Sequence, residues 1–184
     1  MSQQASKEPS EEVDERQLEL AAEEGDAYLA SIEYMANEVA HTGGTTEADD
    51  FTVAFAQEEA EGMYHLQEEG DLEWVEPDDE NCHIEVAVAD IDDGRFVPEL
   101  DVEATLVPED GDEDEVGPFE VPYVWHPGLH HYGVNVTIPE GGTYTVRVHV
   151  EPPTFDRHDE TNGDRYADAV DVAFEDVDIE AGQD

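Results

Sequence analysis

From about Glu11 to His41 the apolar positions return every three or four residues: Leu18, Ala22, Gly25, Leu29, Ile32, Ala36 and Val39, with Tyr28 and Met35 widening the stripe. That period sets them on one face of a helix. Ser10 is placed to cap the start, Glu11 and Glu12 suit the positive end of the dipole, and Gly43-Gly44 is expected to stop it. Residues 1–10 read as a disordered lead-in and residues 11–44 as an amphipathic helix packed on the domain or on a partner.

After a linker, Thr45 to Asp50, the period falls to two. Phe51, Val53 and Phe55 share one face of a strand. Glu58 to Leu66 fits a short helix as well as a bent strand, and Leu72, Trp74 and Val75 read as buried. A meander follows: Cys82 to Asp90, a turn at Asp92-Asp93-Gly94, and Leu100 to Val107. An acidic connection, Pro108 to Gly117, leads to strands at Phe119–Val124, Tyr132–Ile138, Tyr144–Val150 and Val170–Phe174, two of them joined by a turn at Glu140-Gly141-Gly142. Short strands at this spacing with no helices between them predict an all-β fold, an immunoglobulin-like antiparallel β-sandwich over residues 45–180 with the helix added in front.

Charge changes the picture. The 184 residues hold 52 Asp and Glu against 6 Lys and Arg, a formal charge of -46, yet 38% of them are hydrophobic and regularly placed. The chain therefore reads as folded, with acid spread along almost its whole length. In molar salt the Debye length is roughly 3 Å, so neighbouring carboxylates scarcely feel one another. That implies a halophilic, haloarchaeal source, and the same charge repels nucleic acid and anionic lipid. The single cysteine, Cys82, excludes an intrachain disulfide, and Met1 to Arg16 is polar with no apolar leader. The expectation is a soluble cytoplasmic protein with no membrane insertion.

Three groups of side chains carry candidate chemistry. In His83-Ile84-Glu85 the alternation of a strand turns His83 and Glu85 to one side and Cys82 and Ile84 to the other. An imidazole and a carboxylate so placed can share an ion, although an exposed polar face gives the same pattern. The run His126-Pro127-Gly128-Leu129-His130-His131 is a stiff loop entering a strand, and only one of the adjacent His130 and His131 can face a site there. His158 follows Pro152-Pro153 in a loop able to reach back over the sheet, while His149 alternates with valines as a solvent-facing residue. There is no Gly-x-Ser-x-Gly elbow, phosphate loop or His-Glu-x-x-His, so no enzyme is expected.

At these places the sequence resembles the small iron-transport accessory proteins found with high-affinity iron permeases, a periplasmic family binding Fe2+ and Cu2+. The stretches that carry the resemblance are Cys82-His83-Ile84-Glu85, Phe96-Val97-Pro98-Glu99-Leu100, His131-Tyr132-Gly133-Val134-Asn135-Val136, Gly142-Thr143-Tyr144-Thr145-Val146, and Glu151-Pro152-Pro153 with Arg157-His158. They span Asn81 to Tyr166, near half of the chain. The resemblance implies an immunoglobulin-like homodimer that binds divalent iron or copper without catalysis and works beside iron-transport components. It also implies His83, His131 and His158 as imidazole ligands, with Glu85 as the carboxylate tied to iron. The family's methionine between the central histidines is missing from Val121-Pro122-Tyr123-Val124-Trp125-His126, where His126 could substitute, or Met63 could enter from elsewhere. Loss of a thioether shifts preference from copper toward iron, manganese or zinc. The competing expectation is a protein–protein interaction module with a degenerate metal site, its N-terminal helix docking a partner.

Overall fold

The computed structural model describes residues 6–109 and 114–182. A helix, α1 (Glu15–Tyr34), runs directly into a π turn at Met35–Val39. Among the described residues eleven strands follow: β1 (Thr42–Ala48), β2 (Phe51–Glu58), β3 (Met63–Leu66), β4 (Leu72–Val75), β5 (Cys82–Asp90), β6 (Val102–Pro108), β7 (Val116–Glu120), β8 (Tyr123–Val124), β9 (His131–Val136), β10 (Gly142–Val150) and β11 (Val170–Ile179). They form an antiparallel β-sandwich. One sheet has the order β1-β2-β5-β9-β8, the other β11-β10-β6-β7, and β3-β4 is a separate hairpin.

Alternation sorts the side chains. Phe51, Val53 and Phe55 on β2 and Ile84, Val86 and Val88 on β5 point inward, where they meet Val102, Ala104 and Leu106 on β6 and Val146, Val148 and Val150 on β10. The other face of the five-stranded sheet is not left to water. Small residues there (Ala54, Ala56 and Ala87) let Ile32 and Met35 of the helical segment pack down beside Leu129. All nine residues of β5 are therefore buried, on both faces. The middle of the helix's apolar stripe, Gly25 to Met35, thus packs against the chain's own sheet, while Ala22 and Val39 at its ends stay exposed. Gly25 makes the approach possible: a Cβ there would lie 1.6 Å from the carbonyl oxygen of Asp93.

Several boundaries differ from the sequence reading. The helix begins at Glu15 behind a capping box of Asp14 and Gln17, whereas Ser10 accepts from the Glu12 and Val13 amides and donates to Asp159. Of the expected disordered lead-in, residues 1–5 lie outside the described residues. Lys7 is held between Asp90 and Asp93, at 3.1 and 2.5 Å, so the rest of it is fixed. Gly43 and Gly44 do not stop the helix. They belong to β1, which pairs with β2 from Thr42↔Gln57 to Ala48↔Phe51 and absorbs the expected linker. Phe119–Val124 is two strands, not one. β7 pairs with β6 and β8 with β9, so the chain changes sheet at Val121-Pro122. Leu72, Trp74 and Val75 are exposed, because the β3-β4 hairpin stands apart and Trp74 packs on Tyr64, ring centroids 5.0 Å apart, rather than in the core.

Candidate metal centre

β5 and β9 lie side by side, with Glu85 opposite Gly133 and His83 opposite Asn135. The inward set of β5 is apolar, so the same alternation turns His83 and Glu85 to the helix-covered face, and His131, Gly133 and Asn135 of β9 turn with them. His83, Glu85 and His131 are each buried, and one donor atom from each lies within 4.8 Å of the others. His131 Nε2 is 3.3 Å and His83 Nε2 3.7 Å from Glu85 Oε1. Tetrahedral ligation at about 2.1 Å sets neighbouring donors about 3.4 Å apart, so these separations suit one shared ion.

The tautomers follow from the neighbours. His83 Nδ1 faces Asn135 Oδ1 at 2.8 Å. That oxygen also accepts from the Glu61 amide, and the Asn135 Nδ2 donates to the Glu61 carbonyl. The amide is thereby oriented, His83 Nδ1 must donate, and its Nε2 keeps a lone pair for the site. His131 Nδ1 donates to the Leu129 carbonyl at 3.0 Å, with the same consequence. Gly133 supplies the room. A Cβ there would lie 3.0 Å from His83 Nε2 and 3.1 Å from His131 Nε2.

Burial sets the charge. It pushes the His131 imidazole down to about 4, helped by His83, His126 and His130 and opposed by the Leu129 carbonyl, and it lowers His83 as well. Both rings are neutral near pH 7 and ready to bind a cation. Burial, and then the charges of Glu58 and Glu61, push the Glu85 carboxyl up to about 8. Glu85 Oε2 has no hydrogen-bond partner although it is buried. An unsatisfied carboxylate oxygen beside two imidazole lone pairs is the donor set a divalent transition ion would complete, so the residues fit such an ion. Three donors are one short of a tetrahedral set.

The other sequence-predicted ligands stand elsewhere. His126 is exposed, its ring 5.9 Å from that of His131, and its Nδ1 accepts from the Gly128 amide, which leaves the proton on Nε2. His158 is outside the cluster. Its side chain is 93% exposed and 3.5 Å from Glu12, in a loop anchored at the opposite end of β5, where Arg165 and Tyr166 reach Asp90. Five residues of strand separate that end from Glu85, roughly 16 Å. Within one chain the structure therefore brings together two imidazoles and a carboxylate, not three imidazoles. Gly133 and Asn135 went unassigned in the sequence reading, although they alternate with His131 and that period was the available signal.

A family model described as Fe2+ transport protein matches residues 35–179. Among curated proteins, none matches this sequence. Solved structures do. FetP of uropathogenic Escherichia coli strain F11 is 21% identical over 77% of this chain and 95% of its own, with a TM-score of 0.61. Copper-reconstituted P19 of Campylobacter jejuni is 15% identical over 77% of this chain and 96% of its own, also at 0.61. The fold is shared with both. The matches overturn the cytoplasmic placement: the family is one of Fe2+ transport, and the similar FetP was recombinantly expressed in the periplasm. Polar first residues do not locate a chain. Among the described residues no helix is long and apolar enough to cross a membrane.

Proposed function

As the chain belongs to the Fe2+ transport protein family, we propose that it carries a divalent transition metal, iron or copper, held by His83, Glu85 and His131. The observation that carries this reading is the convergence of two neutral imidazole nitrogens on a buried, half-unpaired carboxylate. A variant of FetP is known copper-bound and P19 copper-reconstituted, which makes copper a fair probe. The donor set here, nitrogen and oxygen without sulfur, favours iron, with zinc or manganese as chemically admissible substitutes. Binding and release of the ion is the whole of the proposed role, with no bond made or broken in a substrate.

The fourth ligand is the finer part of the proposal. His126 is the nearer candidate and reaches the ion by turning its ring away from Gly128. His158 can serve only from a second copy, in a homodimer, since its own chain holds it too far off. The high acidic charge is read as adaptation to molar salt, so binding is best measured there.

Metal analysis after desalting tests the reading. One equivalent of ion per chain is expected in the wild type, and loss of it in the His83→Ala/His131→Ala double variant. A double variant that keeps its full equivalent would end the proposal. Loss of the ion on His158→Ala, rescued by mixing with a chain that has His158 but lacks His83, would assign the fourth ligand to a second copy.

A further inference from the structure

The family match starts at Met35, so α1 precedes it, yet α1 crosses the sheet face that holds the metal cluster. We infer that α1 is a working part of the metal centre, and that Tyr28 is a positioning residue that sets His131 through the backbone of residues 129–131. The inference rests on the metal-site reading above and deepens it.

The contacts run from the helix to the ligand without a gap. Tyr28 Oη donates to the His130 carbonyl at 2.5 Å. Ile32 and Met35 pack with Leu129, and the Leu129 carbonyl is the group that accepts the proton of His131 Nδ1. Position 129 is thus fixed through its side chain by the helical segment and in turn orients the ligand ring. The His130 ring is held on its other side, at 2.8 Å from the Tyr123 hydroxyl. Phe96 packs between, 5.7 Å from Tyr28 and 5.9 Å from His130.

The arrangement matters because residues 125–130 lie in a loop with no strand pairing of their own. A loop carbonyl is a poor anchor for a ligand tautomer unless something external holds it. Packing of Ile32 and Met35 holds Leu129 itself, and the hydroxyl of Tyr28 holds the next carbonyl, that of His130, from the helix side. Its hydrogen bond goes to the backbone and not to a donor atom of the site, so its hold on His131 runs through the chain.

Tyr28→Phe removes the hydroxyl and keeps the ring against Phe96. Cu2+ is the probe, because its visible and EPR spectra report ligand geometry. Tyr28→Phe is expected to weaken Cu2+ binding about tenfold and to shift both spectra, as loss of an orienting partner does elsewhere. In a His131→Ala background the same change is expected to do nothing further, since the ring it positions is gone. Wild-type affinity and spectra in Tyr28→Phe, or an equal loss in both backgrounds, would overturn the inference. A His131→Ala protein that binds Cu2+ like the wild type would instead overturn the site itself. The metal-free protein gives an independent measurement: nitrogen-15 NMR of the His131 ring is expected to show the Nδ1–H tautomer in the wild type and a mixture in Tyr28→Phe. An unchanged tautomer counts against the inference whatever the metal does.

Discussion

His131 on the five-stranded sheet and His149 on the four-stranded sheet each stand close to a carboxylate, at 3.3 Å from Glu85 and 2.8 Å from Asp171. Their residue types match, and their chemistry is opposite. His131 is buried under the helical segment, gives Nδ1 to a carbonyl and keeps Nε2 free. His149 is part-exposed, with Nδ1 on Asp171 and Nε2 3.1 Å from Glu151. Hydrogen bonds to those two carboxylates raise its pKa, whereas burial lowers that of His131 to about 4. A ring with both nitrogens on carboxylates is favoured in its protonated form and has no nitrogen free for a cation. The lesson is that a histidine beside an acid keeps a nitrogen available for a cation where its other nitrogen is already bonded, as His131 does on Leu129, and loses it where both nitrogens are taken by carboxylates, as in His149.

The strongest way to break this contrast is to fill the space between the two buried rings. Gly133→Ala puts a methyl group about 3 Å from both Nε2 atoms, so the rings must part. Ion binding is expected to fall by at least about 100-fold in a chelator competition, more than the loss of an orienting partner. Gly142→Ala, with open space around the position, is expected to bind as the wild type does. Equal affinity in the two variants would mean that the gap over Gly133 holds nothing.

Proton linkage sharpens the contrast. An ion needs Glu85 ionised, and its carboxyl sits at about 8. Affinity is therefore expected to drop about tenfold for each pH unit below 8, to level off above it, and to fall more steeply near pH 4 as His131 takes a proton. The metal-free fold has the matching sign. A carboxyl raised above its unfolded value of 4.5 costs stability as pH rises from there to about 8, so metal should stabilise the fold most at the alkaline end. Chelator competition at pH 6, 7, 8 and 9 reads the slope. A flat profile would mean that Glu85 is not a ligand.

How much of this was legible beforehand follows from which contacts are local. His83 and Glu85 could be read as neighbours because two residues of one strand fix their geometry, and the β5 boundaries came out as Cys82–Asp90 for the same reason. β1 was invisible. Thr42–Ala48 has no apolar alternation, and only its pairing with β2 makes it a strand. His158 was read as a ligand by resemblance, but the loop that carries it is tied by Arg165 and Tyr166 to Asp90, a long-range contact that no period announces. Three of the chain's six basic residues, Lys7, Arg95 and Arg165, meet Asp90, Asp92 and Asp93 at that end, and no spacing in the sequence predicts the gathering. The tautomers of His83 and His131 depend on Asn135 and on the Leu129 carbonyl, which only the folded register supplies.

The smallest expected effect belongs to His149, and it tests the other half of the contrast. Its pKa is raised in the folded chain, so the stability it contributes is fully present below the unfolded value near 6.5 and is lost as pH rises through the folded value. Asp171 and Glu151 are 85% and 56% exposed, which keeps the gain below about 1 kcal/mol and lets salt screen it. His149→Gln should therefore lower the thermal midpoint slightly at pH 5.5 and low salt, by an amount that vanishes at pH 9 and shrinks in molar salt. Metal content should not change at all. A midpoint difference of the same size at pH 9 would mean that the ring acts by packing rather than by charge. A loss of metal would mean that the exposed trio, and not burial under the helix, is what makes a site.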